Sequence, residues 1–173
     1  MRIFVTYGKG EGATKLAAFD AALWDAGIGN YNIIKLSSVI PDNSQVAVKR
    51  LNWNDKEHGY RLYSVVSQAV TDVIGRKICA GLGWASVDGI GRGIFVEHHG
   101  SDEEEVRKQI EASIMSLVRY RPEEHGMINY KIESTECRGV TACVLVAAVY
   151  ATEGWAQKET SIEEELPSFI REL

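Results

Sequence analysis

Cysteine is scarce in this chain. Only Cys79, Cys137 and Cys143 occur in 173 residues. They cannot all pair and none stands in a C-x-x-C unit, so they read as buried or idle thiols in a reducing cytosol. Long apolar runs are missing too. No stretch reaches the length needed to span a bilayer. The apolar run in MRIFVTYGKG soon gives way to glycines, too short for a signal peptide with its cleavage site. Charge of one sign is also in short supply, with a formal net charge of -5 and a pI near 5.4. That balance argues against nucleic acid or an anionic membrane as the main partner, because both reward basic surfaces. A small cationic substrate is compatible with it, although so mild a charge does not show one. With no internal repeat and no low-complexity tract, the expectation is a cytoplasmic protein of one domain.

What is present suits that expectation. Hydrophobic residues make up 45% of the chain and charged residues 25%, enough apolar material for one self-supporting core. Residues 2–7 read as a strand, followed by a glycine-rich turn at Gly8–Gly12 and a helix over Ala13–Asp25 that Gly27 and Gly29 stop. Asn30–Val39 reads as a strand closed by Pro41 and Asp42, and the polar stretch Lys49–Tyr60 as a loop. Three apolar runs follow, Arg61–Val70, Lys77–Val87 and Gly93–His98. Ser101 and Glu104 have capping-box spacing ahead of a helix whose apolar stripe is Val106, Ile110, Ile114, Leu117 and Val118. Met127–Glu136 and Gly139–Tyr150 read as two final strands, and Ala151–Leu173 as an acidic tail carrying Pro167. Many strands with two main helices suggest an α/β (α+β) sandwich, part of its sheet antiparallel because the last two strands are consecutive.

Several residues invite a chemical reading, each beside a plainer one. Gly8–Gly12 lacks the ending of a phosphate-binding loop, and Glu11 would repel phosphate. Gly89–Gly93 reads as a turn between strands. His98 and His99 are adjacent, face opposite ways on a strand and cannot chelate one metal together, so no metal site is expected. Asp20 falls among Leu16, Phe19, Leu23 and Trp24 at helical spacing. It is either an edge carboxylate paired within the protein or a receptor for a guanidinium, which offers a two-pronged bond. Glu97 follows Phe95 and Val96 in an apolar strand. Burial there would raise its pKa and suit a general acid, whereas a strand-end position would leave it in solvent. Ser37-Ser38 ends an apolar strand. Such pairs usually bond nearby backbone in a turn, and no Ser-His-Asp arrangement accompanies this one.

The ordered blocks Phe19-Asp20-Ala21-Ala22-Leu23, Ala26-Gly27-Ile28-Gly29-Asn30 and Ser37-Ser38-Val39-Ile40-Pro41, with Gly93-Ile94-Phe95-Val96-Glu97 further on, resemble the pyruvoyl-dependent arginine decarboxylases. The likeness covers most of residues 3–150, with Lys49–Val87 matching less well. The resemblance implies a four-layer αββα sandwich assembled as a homotrimer with sites between subunits. It implies a decarboxylase domain over residues 1–150 that cuts itself between Ser37 and Ser38 into chains 1–37 and 38–173, assisted by Asn32. A covalent pyruvoyl group derived from Ser38 would then serve as electron sink for turning L-arginine into agmatine and carbon dioxide. Glu97 would return a proton to the α-carbon. Asp20 would hold the guanidinium, with Leu16, Leu23 and Val39 lining the slot. Two rivals stay open: the same machinery acting on another amino acid, and an uncleaved relative that binds a ligand or partner without catalysis.

Overall fold

The computed structural model describes residues 1–155 of the chain. Its elements, in order, are β1 (Arg2–Gly12), α1 (Lys15–Asp25), β2 (Asn32–Lys35), β3 (Val39–Ile40), β4 (Gln45–Val48), a single 3-10 turn (Asp55–Glu57), β5 (Arg61–Thr71), β6 (Lys77–Ser86), β7 (Gly93–Gly100), α2 (Glu103–Val118), β8 (Asn129–Glu136) and β9 (Thr141–Glu153). One sheet has the order β2-β5-β9-β1-β4 and the other β3-β7-β6-β8. Three apolar clusters separate four layers. Val5, Val65, Leu82, Phe95 and Val146 fill the space between the sheets. Ala22, Leu23 and Leu145 lie under α1, and Val106, Ile110 and Ile114 join α2 to the second sheet. The architecture is therefore an αββα sandwich.

The glycines of Gly8–Gly12 do not turn the chain. They continue β1, and alternation sets Gly8, Gly10 and Gly12 on the face that α1 covers. A methyl group on Gly10 would stand 2.3 Å from the Ala22 backbone nitrogen, so this strand admits only hydrogen there. Facing the glycines, the small residues Ala18, Ala22 and Ala26 are fully buried, which rolls the expected stripe outward. Leu16 is 75% exposed and Asp20 lies in solvent beside it. The α1 N-terminus is held by Thr14, whose hydroxyl accepts from Ala17 N–H at 3.1 Å.

Other expectations shift in smaller ways. The cap of α2 is Asp102, which accepts from Glu105 N–H at 2.9 Å, in place of Ser101. An aspartate one residue later suits the dipole better than a serine. The expected strand Asn30–Val39 is divided: β2 pairs with β5 in the first sheet and β3 with β7 in the second. β4 is not among the expected strands, and it runs parallel to β1. Of the expected tail, residues 151–153 belong to β9, and the part beyond 155 lies outside the described residues. All three cysteines are free and buried. No helix among the described residues is long and apolar enough to cross a membrane.

Candidate active site

Division of the expected strand places Ser37 and Ser38 where the chain crosses from one sheet to the other. On the near side Leu36 N–H donates to the Ser64 carbonyl at 2.9 Å, continuing the first sheet. On the far side Phe95 N–H donates to the Ser38 carbonyl at 2.7 Å, opening the second. Between these anchors the backbone turns sharply, and Ser38 takes φ of 68°. An L-residue in this left-handed region is strained by about 1–2 kcal/mol. The other non-glycine residues with positive φ among those described, Asn30 and Asn43, are of a type that tolerates it. Serine has no such tolerance, so the strain at Ser38 is sustained by its surroundings.

The Ser38 hydroxyl donates to Glu97 Oε1 at 2.7 Å, across 59 residues of sequence. Alternation along β7 sends Phe95 between the sheets and Val96 toward α2, as expected, but Glu97 itself is exposed. The reason is topological: β3 pairs only with Gly93 and Ile94, so the edge of β7 beyond Ile94 has no neighbouring strand. Glu97 stands at that open edge, in hydrogen-bond contact with the one hydroxyl that adjoins the Ser37 carbonyl. A carboxylate so placed can accept the hydroxyl proton or exchange one with a molecule held there.

Two neighbours were not read from the sequence. The Tyr150 hydroxyl donates to the Val39 carbonyl at 3.0 Å, and its ring meets Phe95 edge-on with centroids 6.1 Å apart. Burial, and then the nearby charge of Glu97, push the Tyr150 pKa up. On the α2 side, His98 Nε2 lies 2.8 Å from Ser113 Oγ. Burial lowers the His98 pKa, outweighing the opposite pull of Glu97. The only sequence signal for Tyr150 was a hydroxyl closing an otherwise apolar strand. For His98 it was a histidine one step from a candidate acid. Ser37, Ser38, Val39, Glu97, His98 and Arg121 border a cleft of about 380 Å³. A larger open depression near Met1 and Trp84 holds none of the expected site residues, so size is no guide to the chemistry here.

Within one chain the structure brings together Ser37, Ser38, Val39 and Glu97, and leaves the other expected residues apart from them. Asn32 sits at the opposite end of β2 from Ser38, and its side-chain amide donates to the Gly59 carbonyl at 2.6 Å. Asp20 and Leu16 face solvent on α1, whereas Leu23 is buried beneath that helix and Val39 is 59% exposed. The plainer account of Asp20, an internal ion pair, is absent from the salt bridges among the described residues.

Known proteins match this chain over most of its described length. The family model described as pyruvoyl-dependent arginine decarboxylase matches residues 2–154. A protein of that name from Methanothermobacter thermautotrophicus is 34% identical over 127 residues, 73% of this chain and 79% of its own length. One from Thermococcus kodakarensis is 36% identical over 144 residues, 78% and 83% of the two chains. A third, from Methanopyrus kandleri, is 33% identical over 143 residues, 82% and 90%.

Proposed function

Because the chain belongs to the pyruvoyl-dependent arginine decarboxylase family, we propose that it cuts its own backbone between Ser37 and Ser38 and then decarboxylates L-arginine to agmatine and carbon dioxide. The observation that carries this reading is the Ser38 corner, a strained serine whose hydroxyl is bonded to a carboxylate. In the cut, Ser38 Oγ bonds to the Ser37 carbonyl carbon as the C–N bond breaks, and the hydroxyl proton ends on the freed amine. Loss of the Ser38 α-proton then breaks the Cβ–O bond and releases chain 1–37 with a carboxylate end. Water displaces ammonia from the dehydroalanine left at position 38.

The residues present fit the pyruvoyl group that the family implies. Position 38 opens into the cleft, its carbonyl is held by Phe95 N–H and Glu97 is already at hydrogen-bond distance. When formed, that group supplies a carbonyl electron sink for the charge released with carbon dioxide. The chain's own residues do the rest. Glu97 delivers the proton to the α-carbon of the product, and Asp20 takes the substrate guanidinium in a two-pronged bond. Leu16 and Val39 line the slot between them, whereas Leu23, buried under α1, does not face it. The exposure of Leu16, Asp20 and Val39 supports a site closed between copies in a homotrimer. In that assembly a neighbouring copy presents Asp20 and Asn32, and Asn32 exchanges the Gly59 carbonyl for the oxyanion of the cut. Residues 1–150 form the decarboxylase domain, and the enzyme works in the cytoplasm.

Intact mass under denaturing conditions tests the reading, followed by agmatine formation from arginine with lysine as comparator. Two chains are expected, 1–37 and 38–173, the larger lighter by one ammonia than a serine-ended chain. A single full-length mass after prolonged incubation would overturn the cut and leave a ligand-binding relative. Two chains active on lysine alone would overturn arginine as substrate.

A further inference from the structure

The backbone around Ser38 is held at three points. Phe95 N–H holds the Ser38 carbonyl, Glu97 holds the Ser38 hydroxyl, and the Tyr150 hydroxyl holds the carbonyl of the next residue, Val39. The first two belong to the strand beside Ser38. Tyr150 belongs to the other sheet, where it follows Val144, Val146 and Ala148 on the face turned toward the second sheet. In the β5–β9 ladder Tyr63 pairs with Ala151 and Ser64 with Val149, so Tyr150 is the extra residue of a bulge. Its side chain keeps the place that alternation sets, between the sheets, against Phe95 and with the hydroxyl on the Val39 carbonyl.

We infer that Tyr150 is a positioning residue for the backbone cut: by holding the Val39 carbonyl it keeps Ser38 in the left-handed conformation from which the Ser38 hydroxyl reaches the Ser37 carbonyl. The inference rests on the self-cleavage proposed above. Val39 belongs to a strand of two residues, so the only other hold on its peptide among the described residues is the short pairing of β3 with Gly93 and Ile94. Without the tyrosine hydroxyl that two-residue ladder alone holds the peptide against the strain, and Ser38 can relax toward negative φ, releasing the strain that favours breaking the amide. A tyrosine hydroxyl is protonated, and therefore a donor, through the neutral range, and burial beside Glu97 shifts Tyr150 further in that direction.

The test is a time course of intact mass on freshly synthesised chain, comparing wild type, Tyr150→Phe and Tyr63→Phe. Phenylalanine keeps the ring against Phe95 and removes only the hydroxyl. Tyr63→Phe removes a different tyrosine hydroxyl, one bonded to Glu153 away from Ser38. Tyr150→Phe is expected to slow the cut by about 5- to 30-fold, the factor that release of one left-handed residue's strain represents. Tyr63→Phe is expected to match wild type. Hydroxylamine, which cleaves the ester joining the Ser37 carbonyl to Ser38 Oγ, supplies a readout that loss of packing would not move. The fraction trapped during the first minutes falls in Tyr150→Phe alone. Equal rates for Tyr150→Phe and wild type overturn the inference, as does equal slowing by both variants. A wild-type chain that never cuts removes the proposed function, and this inference with it.

Discussion

Replacing Ser38 by glycine and by alanine separates backbone strain from side-chain chemistry. Neither variant has the hydroxyl, so neither can cut, and both lose the bond to Glu97 equally. The difference between them isolates the backbone at φ of 68°. Alanine keeps the left-handed strain of about 1–2 kcal/mol. Glycine is free of it but gains about 0.4–1 kcal/mol of disorder in the unfolded chain. The balance leaves Ser38→Gly more stable than Ser38→Ala by about 1 kcal/mol. At an ordinary position the sign is reversed, because only the unfolded-state effect remains. Equilibrium unfolding in urea measures it, both variants being held at one protein concentration because association shifts apparent stability. Alanine as stable as glycine, or more so, would refute the claim that Ser38 is held in a strained conformation.

Other predictions concern the site and its scaffold. In cleaved protein, Glu97→Gln lowers kcat by about 10²–10⁴, as loss of a proton donor does, with KM nearly unchanged in steady-state assays. Asp20→Asn leaves the cut intact by mass but reduces kcat/KM for arginine by about 10- to 100-fold, the worth of a charge-assisted bond. Gly10→Ala drives a methyl group into the α1 backbone and costs about 1–3 kcal/mol in urea unfolding. Asp25 gives a pH test. Burial alone would raise its pKa, but the Arg50 bonds of 2.8 and 3.1 Å and the Lys9 N–H at 2.9 Å together hold it below the ordinary 3.8. Its folded value being the lower one, its contribution to stability is complete above 3.8 and is lost as pH falls through that folded value. Arg50→Met therefore flattens the acid limb of the stability curve, measured by urea unfolding between about pH 5 and 2.

Much of the molecule was legible from local pattern. The stripe Val106, Ile110 and Ile114 is the buried face of α2, and the runs at Arg61, Lys77 and Gly93 are strands close to the expected bounds. Periodicity succeeds there because a half-buried element must repeat its apolar residues at its own period. It misled in part at α1, where Leu23 is buried together with the alanines but Leu16 and Trp24 of the expected stripe are exposed. The partner surface is a row of glycines, and only small residues let the two backbones meet. Pattern also read Asn30–Val39 as one strand, since nothing in the apolar run marks the point at which the chain leaves one sheet for the other.

By itself the sequence determined the two helices, most strands and the ordered blocks around Asp20, Ser37-Ser38 and Glu97 that point to the family. These depend on neighbours within a turn or two of chain, where residue type acts directly on conformation. Tertiary structure decided that Ser38 is left-handed, that its hydroxyl meets Glu97 and that Tyr150 grips Val39 across 111 residues. It also left Asp20, Leu16 and Asn32 apart from Ser38 within a single chain. Those outcomes follow from strand order, from the two-residue length of β3 and from the packing of one sheet on the other. Each is set by how distant segments pack, which no local propensity encodes.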